Sequence, residues 1–272
     1  MPSFQEISCD QLNRLIGTAN CPVLIDVRID EDFDADPRLI PGSRRQDFRD
    51  QSWIDSFQGE SAVIICHRGK KLSHGVAALL RHRGVPADVL EGGFEAWTDQ
   101  GLPAIPASTL PQRDAKGRTV WVTRSRPKID RIACPWLIRR FVDPNAVFLF
   151  VAPAEVEAVA DRFKAAPFDI DADILWSHRG ELCTFDIMVE EFGLGTEPMK
   201  RLATIVRGAD TGRPELAPEV PGLVAASLGL SRTYTDDLQQ LDAGMVLYDA
   251  FYRWCRDATG ETHNWPTNKK GA

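Results

Sequence analysis

The chain has 272 residues, 43% apolar and 26% charged, with a formal net charge of −7 and a pI near 5.3. That balance belongs to a soluble globular protein with room for two domains, and its acidity argues against a general nucleic-acid binder. The opening MPSFQEISCDQL lacks the basic and apolar regions of a secretory signal, no stretch approaches the ~18 uncharged apolar residues of a membrane span, and the six cysteines contain no C-x-x-C pair. The expectation is a cytoplasmic protein with reduced thiols and neither membrane nor nucleic-acid partners; its oligomeric state is not legible.

In chain order, SCDQLNRLI predicts a short helix with Ser8 as N-cap, PVLIDVR a buried strand from Val23 to Val27, and IPGS a turn. SWIDSF reads as a short helix and SAVIIC as a second buried strand ending at Cys66. LSHGVAALLRHRG places Leu72, Val76, Leu79 and Leu80 on one helical face, with Gly84 beyond the last turn. ADVLEGG is a third strand and FEAWTDQG a last short helix. Strands alternating with helices indicate a parallel α/β sheet with flanking helices over residues 1–108.

Prolines 103, 106 and 111 mark a linker around residues 104–118. Beyond it, TVWVTRS, AVFLFVAP and ADILWSH are strand candidates, and APAEVEAVADRF an amphipathic helix. From Cys183 onward the pattern is mainly helical, so residues 119–256 form a second, α+β and mainly helical domain. In its last helix Leu238, Leu241, Met245, Tyr248, Tyr252 and Cys255 recur at core-forming steps, and residues 257–272 read as a flexible tail.

Charge is uneven. Residues 1–110 carry 11 basic and 16 acidic side chains, whereas Arg113 to Arg140 carries 9 basic and 2 acidic. The stretch CHRGKKLSHG sits where a buried strand gives way to a loop and then a helix. Ligands of open parallel sheets bind outside the carboxyl ends of the strands. Gly69 allows the loop to curl so that backbone N–H groups face the Cys66 sulfur, while Arg68, Lys70 and Lys71 add positive charge. These features favour thiolate over thiol. A structural cysteine before a solvated basic turn is the plainer alternative.

The surrounding pattern resembles a rhodanese domain: LIDVR, IPGS, IICHRGKK and VLEGGFEAW follow in that family's order. The resemblance implies that Cys66 accepts a sulfane sulfur, with His67, Arg68, Gly69, Lys70 and Lys71 lining an anionic-substrate site and no cofactor needed. It implies a small anionic donor such as thiosulfate and a thiol acceptor. The six-residue loop from Cys66 to Lys71 is the family's sulfurtransferase length, while Lys71 and Leu72 stand where the family often has arginine and then serine or alanine. Asp26 and Arg28 match its early aspartate–arginine pair and are expected to give structural support.

In the second domain, Arg124, Arg126, Lys128 and Arg131 form a basic concentration that suits an oxyanion, or simply a solvated surface. If a helix begins near Glu181, Cys183, Asp186 and Glu190 fall on one face with His178 just before it. Together with Asp130 they form a candidate divalent-metal set for Fe, Mn or Zn, although none of the strong metal spacings is present. VTRSRPKIDRIACPWLIRRFVDP, SHRGELCTFD, IVRGAD and GLSRTYTDDLQQLDAGMVLYDAFYRWC resemble the C-terminal domain of ChrB-type chromate-resistance proteins. Three readings stay open at this level. They are a persulfide sulfurtransferase linked to chromate or oxidative stress, a stress or metal sensor without turnover, and a metal-dependent enzyme centred on the second domain.

Overall fold

The computed structural model describes residues 5–261, apart from 51 and 58. The first half runs β1 (Glu6–Ile7), α1 (Cys9–Leu15), β2 (Val23–Asp26), α2 (Asp30–Ala35), β3 (Arg38–Leu39), β4 (Ser43–Arg45), β5 (Ala62–Ile65), α3 (Lys71–His82), β6 (Ala87–Leu90), α4 (Gly93–Asp99) and β7 (Ile105–Pro106). Five strands form a parallel sheet in the order β1-β6-β5-β2-β4. The all-buried run Ala62–Ile65 makes β5 the central strand, which brings Cys66 to the middle of the sheet's carboxyl edge. Ser8 caps α1: its hydroxyl accepts from the Gln11 N–H while the Gln11 side chain accepts from the Ser8 N–H.

The second half comprises β8 (Val120–Arg124), α5 (Asp130–Leu137), β9 (Val147–Val151), α6 (Val156–Phe163), β10 (Ala166–Pro167), α7 (Thr184–Glu191), α8 (Glu197–Asp210), α9 (Val220–Thr233) and α10 (Asp237–Arg253). A small parallel sheet in the order β10-β8-β9 lies beside the helices. Trp136 anchors their core, stacked on Phe185 and packed against Tyr248 and Tyr252.

Several expectations change. ADILWSH is not a strand: residues 172–178 form bends and turns, and β10 takes the place beside β8. The Ile174–Trp176 apolar run is short, and Leu175 is exposed. The α9 helix was not foreseen. In α10, Leu241, Met245, Tyr248 and Tyr252 are buried, as is Cys255 just beyond it, but Leu238 faces solvent. The proline-marked linker is partly structured, since β7 pairs antiparallel with β3. Of the expected tail, residues 257 and 258 finish a helical turn, and residues 262–272 lie outside the described ones.

The halves share one apolar core, running from Leu12, Ile16, Leu24 and Ile40 to Trp121, Trp136 and Phe141. At the seam Gly42 N–H donates to the Phe141 carbonyl, and Gly17 lies so close to the Phe141 ring that any Cβ there would collide with it.

Candidate functional site

Two groups of side chains carry chemistry, one in each half. In the first, Cys66 follows β5 and lies almost buried under the loop leading into α3. Its sulfur accepts the Lys70 backbone N–H at 3.4 Å and lies 3.1 Å from the Ser73 hydroxyl, which itself donates to the Lys70 carbonyl. The loop is held by the start of α4, where Phe94 N–H donates to Cys66 O and Glu95 N–H to His67 O, both at 2.9 Å. That docking requires glycine at Gly69 and Gly93, both at positive φ. A Cβ on Gly93 would run into the Cys66 and His67 carbonyls, and one on Gly69 into the backbone of Leu90 and Gly92. The glycine pair in VLEGGFEAW is therefore a seat for the cysteine loop.

Around this seat Arg68, Lys70 and Lys71 are exposed. Arg68 pairs with Glu95 at 3.2 Å, and His67 lies 3.9 Å from the same carboxylate. Asp26 and Arg28 are wholly buried and bonded to each other, with Arg28 Nε and Nη2 donating to Asp26 at 2.6–3.1 Å. Arg28 also donates to the Asp36 and Arg38 carbonyls, and its guanidinium lies 3.7 Å from the centre of the Phe94 ring. The pair thus supports the α4 residue that holds the Cys66 carbonyl.

In the second half, the β8–α5 turn places Asp130 at the first position of α5, directly after Ile129, a β-branched residue at φ +31. The Ile129 carbonyl is held by the Tyr248 hydroxyl at 3.1 Å. Asp130 is completely buried; its Oδ2 accepts Phe185 N–H at 3.2 Å, while Oδ1 has no hydrogen-bond partner among the described residues. His178 Nε2 faces Asp169 Oδ1 at 3.1 Å and Asp210 Oδ2 at 3.6 Å. Asp130, His178 and Asp210 each offer a ligand atom within 4.8 Å of the others. Asp169 also accepts the Thr184 hydroxyl at 3.0 Å, and its Oδ2 meets Arg131 at 3.2 Å and Arg124 at 3.6 Å.

The electrostatics follow from this packing. Burial, reinforced by Asp210 and Asp169, pushes the Asp130 carboxyl well above the usual range, and burial beside Asp169 also raises Asp210. Burial alone would raise Asp169, but the His178 and Thr184 hydrogen bonds and the Arg131 charge hold it below its ordinary value. The Asp169 hydrogen bond, with the nearby charges of Asp130, Asp169 and Asp210, raises His178 to about 9 from 6.5.

A histidine raised on folding stabilises the native state below its unfolded pKa, and that contribution disappears as pH rises through the folded value. In chelator-treated protein the His178 contribution is therefore expected to be full below pH 6.5 and lost toward pH 9. Thermal melts should show a falling midpoint across that window, flattened in H178A. Equal slopes in the two proteins would rule the coupling out.

The expected ligand set divides. Asp130 and His178 come together. Cys183 is the N-cap of α7 rather than a residue of its face; burial raises its thiol strongly, and the thiol donates to Asp186 Oδ2 at 3.2 Å. Asp186 also accepts the Cys183 N–H at 3.1 Å and pairs with Arg207 at 2.7 Å, and Glu190 is exposed. Asp169 and Asp210, which complete the group, were missed; the signal for Asp210 was the IVRGAD run closing α8. Of the basic segment, Arg124 and Arg131 turn to Asp169. The backbone and guanidinium of Arg126 hold Asp237 and the Ser231 carbonyl, and Lys128 is exposed. The segment thus does not converge on one anion pocket, because its partners are the chain's own carboxylates and carbonyls.

The parallel sheet with a cysteine loop on its central strand defines a rhodanese-type domain, and residues 8–100 match the Rhodanese-like domain family. Residues 121–255 match the family described as ChrB, C-terminal domain. The two matches follow one another along the chain, a rhodanese-like domain first and a ChrB C-terminal domain second. The chain is 33% identical over 156 residues to Protein ChrB of Cupriavidus metallidurans, covering 56% of this chain and 46% of that protein, so it spans under half of that relative's length. Among solved structures, a Staphylococcus saprophyticus protein is 30% identical, covering 36% of this chain and 98% of that one, with a TM-score of 0.32. A rhodanese-like domain protein from Staphylococcus aureus is 29% identical, covering 36% and 96%, with a TM-score of 0.31. Among the described residues no helix is long and apolar enough to cross a membrane.

Proposed function

We propose that the first domain is a sulfurtransferase working through a persulfide on Cys66, in a protein tied to the chromate or oxidative stress that its second domain's resemblance implies. In the first half-reaction the Cys66 thiolate attacks the outer sulfur of a donor such as thiosulfate. The donor S–S bond breaks, sulfite leaves with the electron pair, and Cys66 carries the transferred sulfur. In the second, an acceptor thiolate attacks that outer sulfur, takes it as its own persulfide, and releases Cys66 as thiolate. The observation carrying this reading is the sulfur itself, at the carboxyl end of the central strand beneath a loop whose Lys70 N–H and Ser73 hydroxyl both reach it. The exposed charges of Arg68, Lys70 and Lys71 beside it suit an anionic donor.

The direct test is mass spectrometry of the full chain after thiosulfate treatment. The expected product is one added sulfur atom on the peptide containing Cys66, removed by a thiol acceptor with recovery of the unmodified mass. A sensor without turnover would gain the sulfur and fail to release it catalytically. Sulfur found instead on another cysteine peptide would defeat the assignment.

A further inference from the structure

In the second half, four segments distant in sequence converge on one small volume: the start of α5, the turn after β10, the loop before α7 and the end of α8. They bring Asp130, Asp169, His178 and Asp210 together, and the charges are unequally matched. Asp169 is answered by Arg131 and Arg124. Among the described residues Asp130 has no Lys or Arg ion pair, and its Oδ1, fully enclosed, has no donor. A buried carboxylate oxygen without a partner is costly, and buried charges are retained when paired or when they coordinate metals.

We propose that Asp130, His178 and Asp210 bind a divalent first-row metal ion through two carboxylate oxygens and the His178 Nε2. The three donor atoms lie within 4.8 Å of one another, close enough to be drawn around one ion at ordinary metal–oxygen and metal–nitrogen distances of about 2.0–2.2 Å. The His178 nitrogen, which faces Asp169 and Asp210, exchanges its proton for the ion, the Asp130 carboxyl gives up any proton it carries, and the released protons go to solvent. Two carboxylates and a neutral imidazole balance a charge of +2. Asp169 stands outside the ligand set: its contact with His178 is to the same Nε2, which passes to the ion, and Asp169 stays fixed by Arg131 and Thr184.

The donor set selects the ion. The Cys183 thiol also lies beside Asp130 but donates to Asp186 Oδ2 at 3.2 Å, and it is not counted in the set. Imidazole with hard carboxylates favours Mn²⁺ or Fe²⁺ over a thiolate-type zinc site. The site also differs from one on the face of α7, because Asp186 is held by Arg207 and Glu190 lies in solvent.

The test titrates chelator-treated full-length protein with Mn²⁺ alone, reading free ion by its electron paramagnetic resonance signal. One equivalent should bind, H178A and D210N should each weaken binding at least about tenfold, and E190Q should bind as the unaltered chain does. His178 is partly exposed, so H178A should keep the fold, checked by circular dichroism. No measurable Mn²⁺ binding at saturation, or affinity unchanged in both H178A and D210N, overturns the proposal. So does an equal loss in E190Q, which would move the ion to the α7 face.

Discussion

Replacing Cys66 with serine is expected to reduce sulfur transfer from thiosulfate to cyanide to the uncatalysed background, a loss of about three orders of magnitude or more. Serine keeps the shape of the site, because its oxygen can still accept the Lys70 N–H and meet the Ser73 hydroxyl. What disappears is a polarisable nucleophile that can both take a sulfur and release it. The thermal midpoint of C66S should stay close to that of the unaltered chain, since the neighbouring contacts are kept and the side chain changes by one atom. A C66S protein that still turns over would show that the sulfur is carried elsewhere, and the loop would then be a scaffold.

The second large effect concerns stability. Arg28→Ala is expected to destabilise the chain by about 3–5 kcal/mol, measured as a lowered denaturant midpoint, because it leaves Asp26 as an unpaired buried charge. Both side chains are essentially inaccessible, and Asp26 accepts from both Nε and Nη2 of Arg28. Arg28→Lys should recover little, since an ammonium can neither fork onto the carboxylate nor stack on Phe94. A double variant with leucine at 26 and methionine at 28 should be more stable than R28A, because it removes the stranded charge. A cost below about 1 kcal/mol for R28A would place the pair among ordinary surface-like contacts. R28A should also lower sulfur transfer, because the stacked Phe94 holds the Cys66 carbonyl.

The first domain was legible because its signals are local. Val23–Asp26 and Ala62–Ile65 are short apolar runs ending in chemistry-bearing residues, and the loop from Cys66 to Lys71 is contiguous. What the sequence did not show there is why glycine stands directly before Phe94: a Cβ on Gly93 would meet the carbonyl of Cys66, 27 residues earlier (93 − 66).

The acidic group of the second half was only partly legible, for the opposite reason. Its members come from positions 130, 169, 178 and 210, and no spacing rule joins them. Helical arithmetic grouped Asp186 and Glu190 with Cys183 on the assumption that the helix begins near Glu181. It begins at Thr184, so Cys183 becomes a cap and Asp186 turns back to satisfy its N–H. Asp169 could not be placed because ADILWSH was read as a strand, which hid the turn that carries the carboxylate toward His178.

The seam between the halves limits how such a protein can be rebuilt. With one apolar core crossing it and Gly42 bonded to Phe141, heat or denaturant should melt both halves together rather than one after the other. Shuffling another rhodanese-like domain into the first position would therefore require more than a matching linker. The newcomer would need a residue without a side chain opposite Phe141, as Gly17 is, and an apolar flank shaped to the second half. Recombination at this junction is a problem of surface fit, and it ties the inheritance of one half to the other.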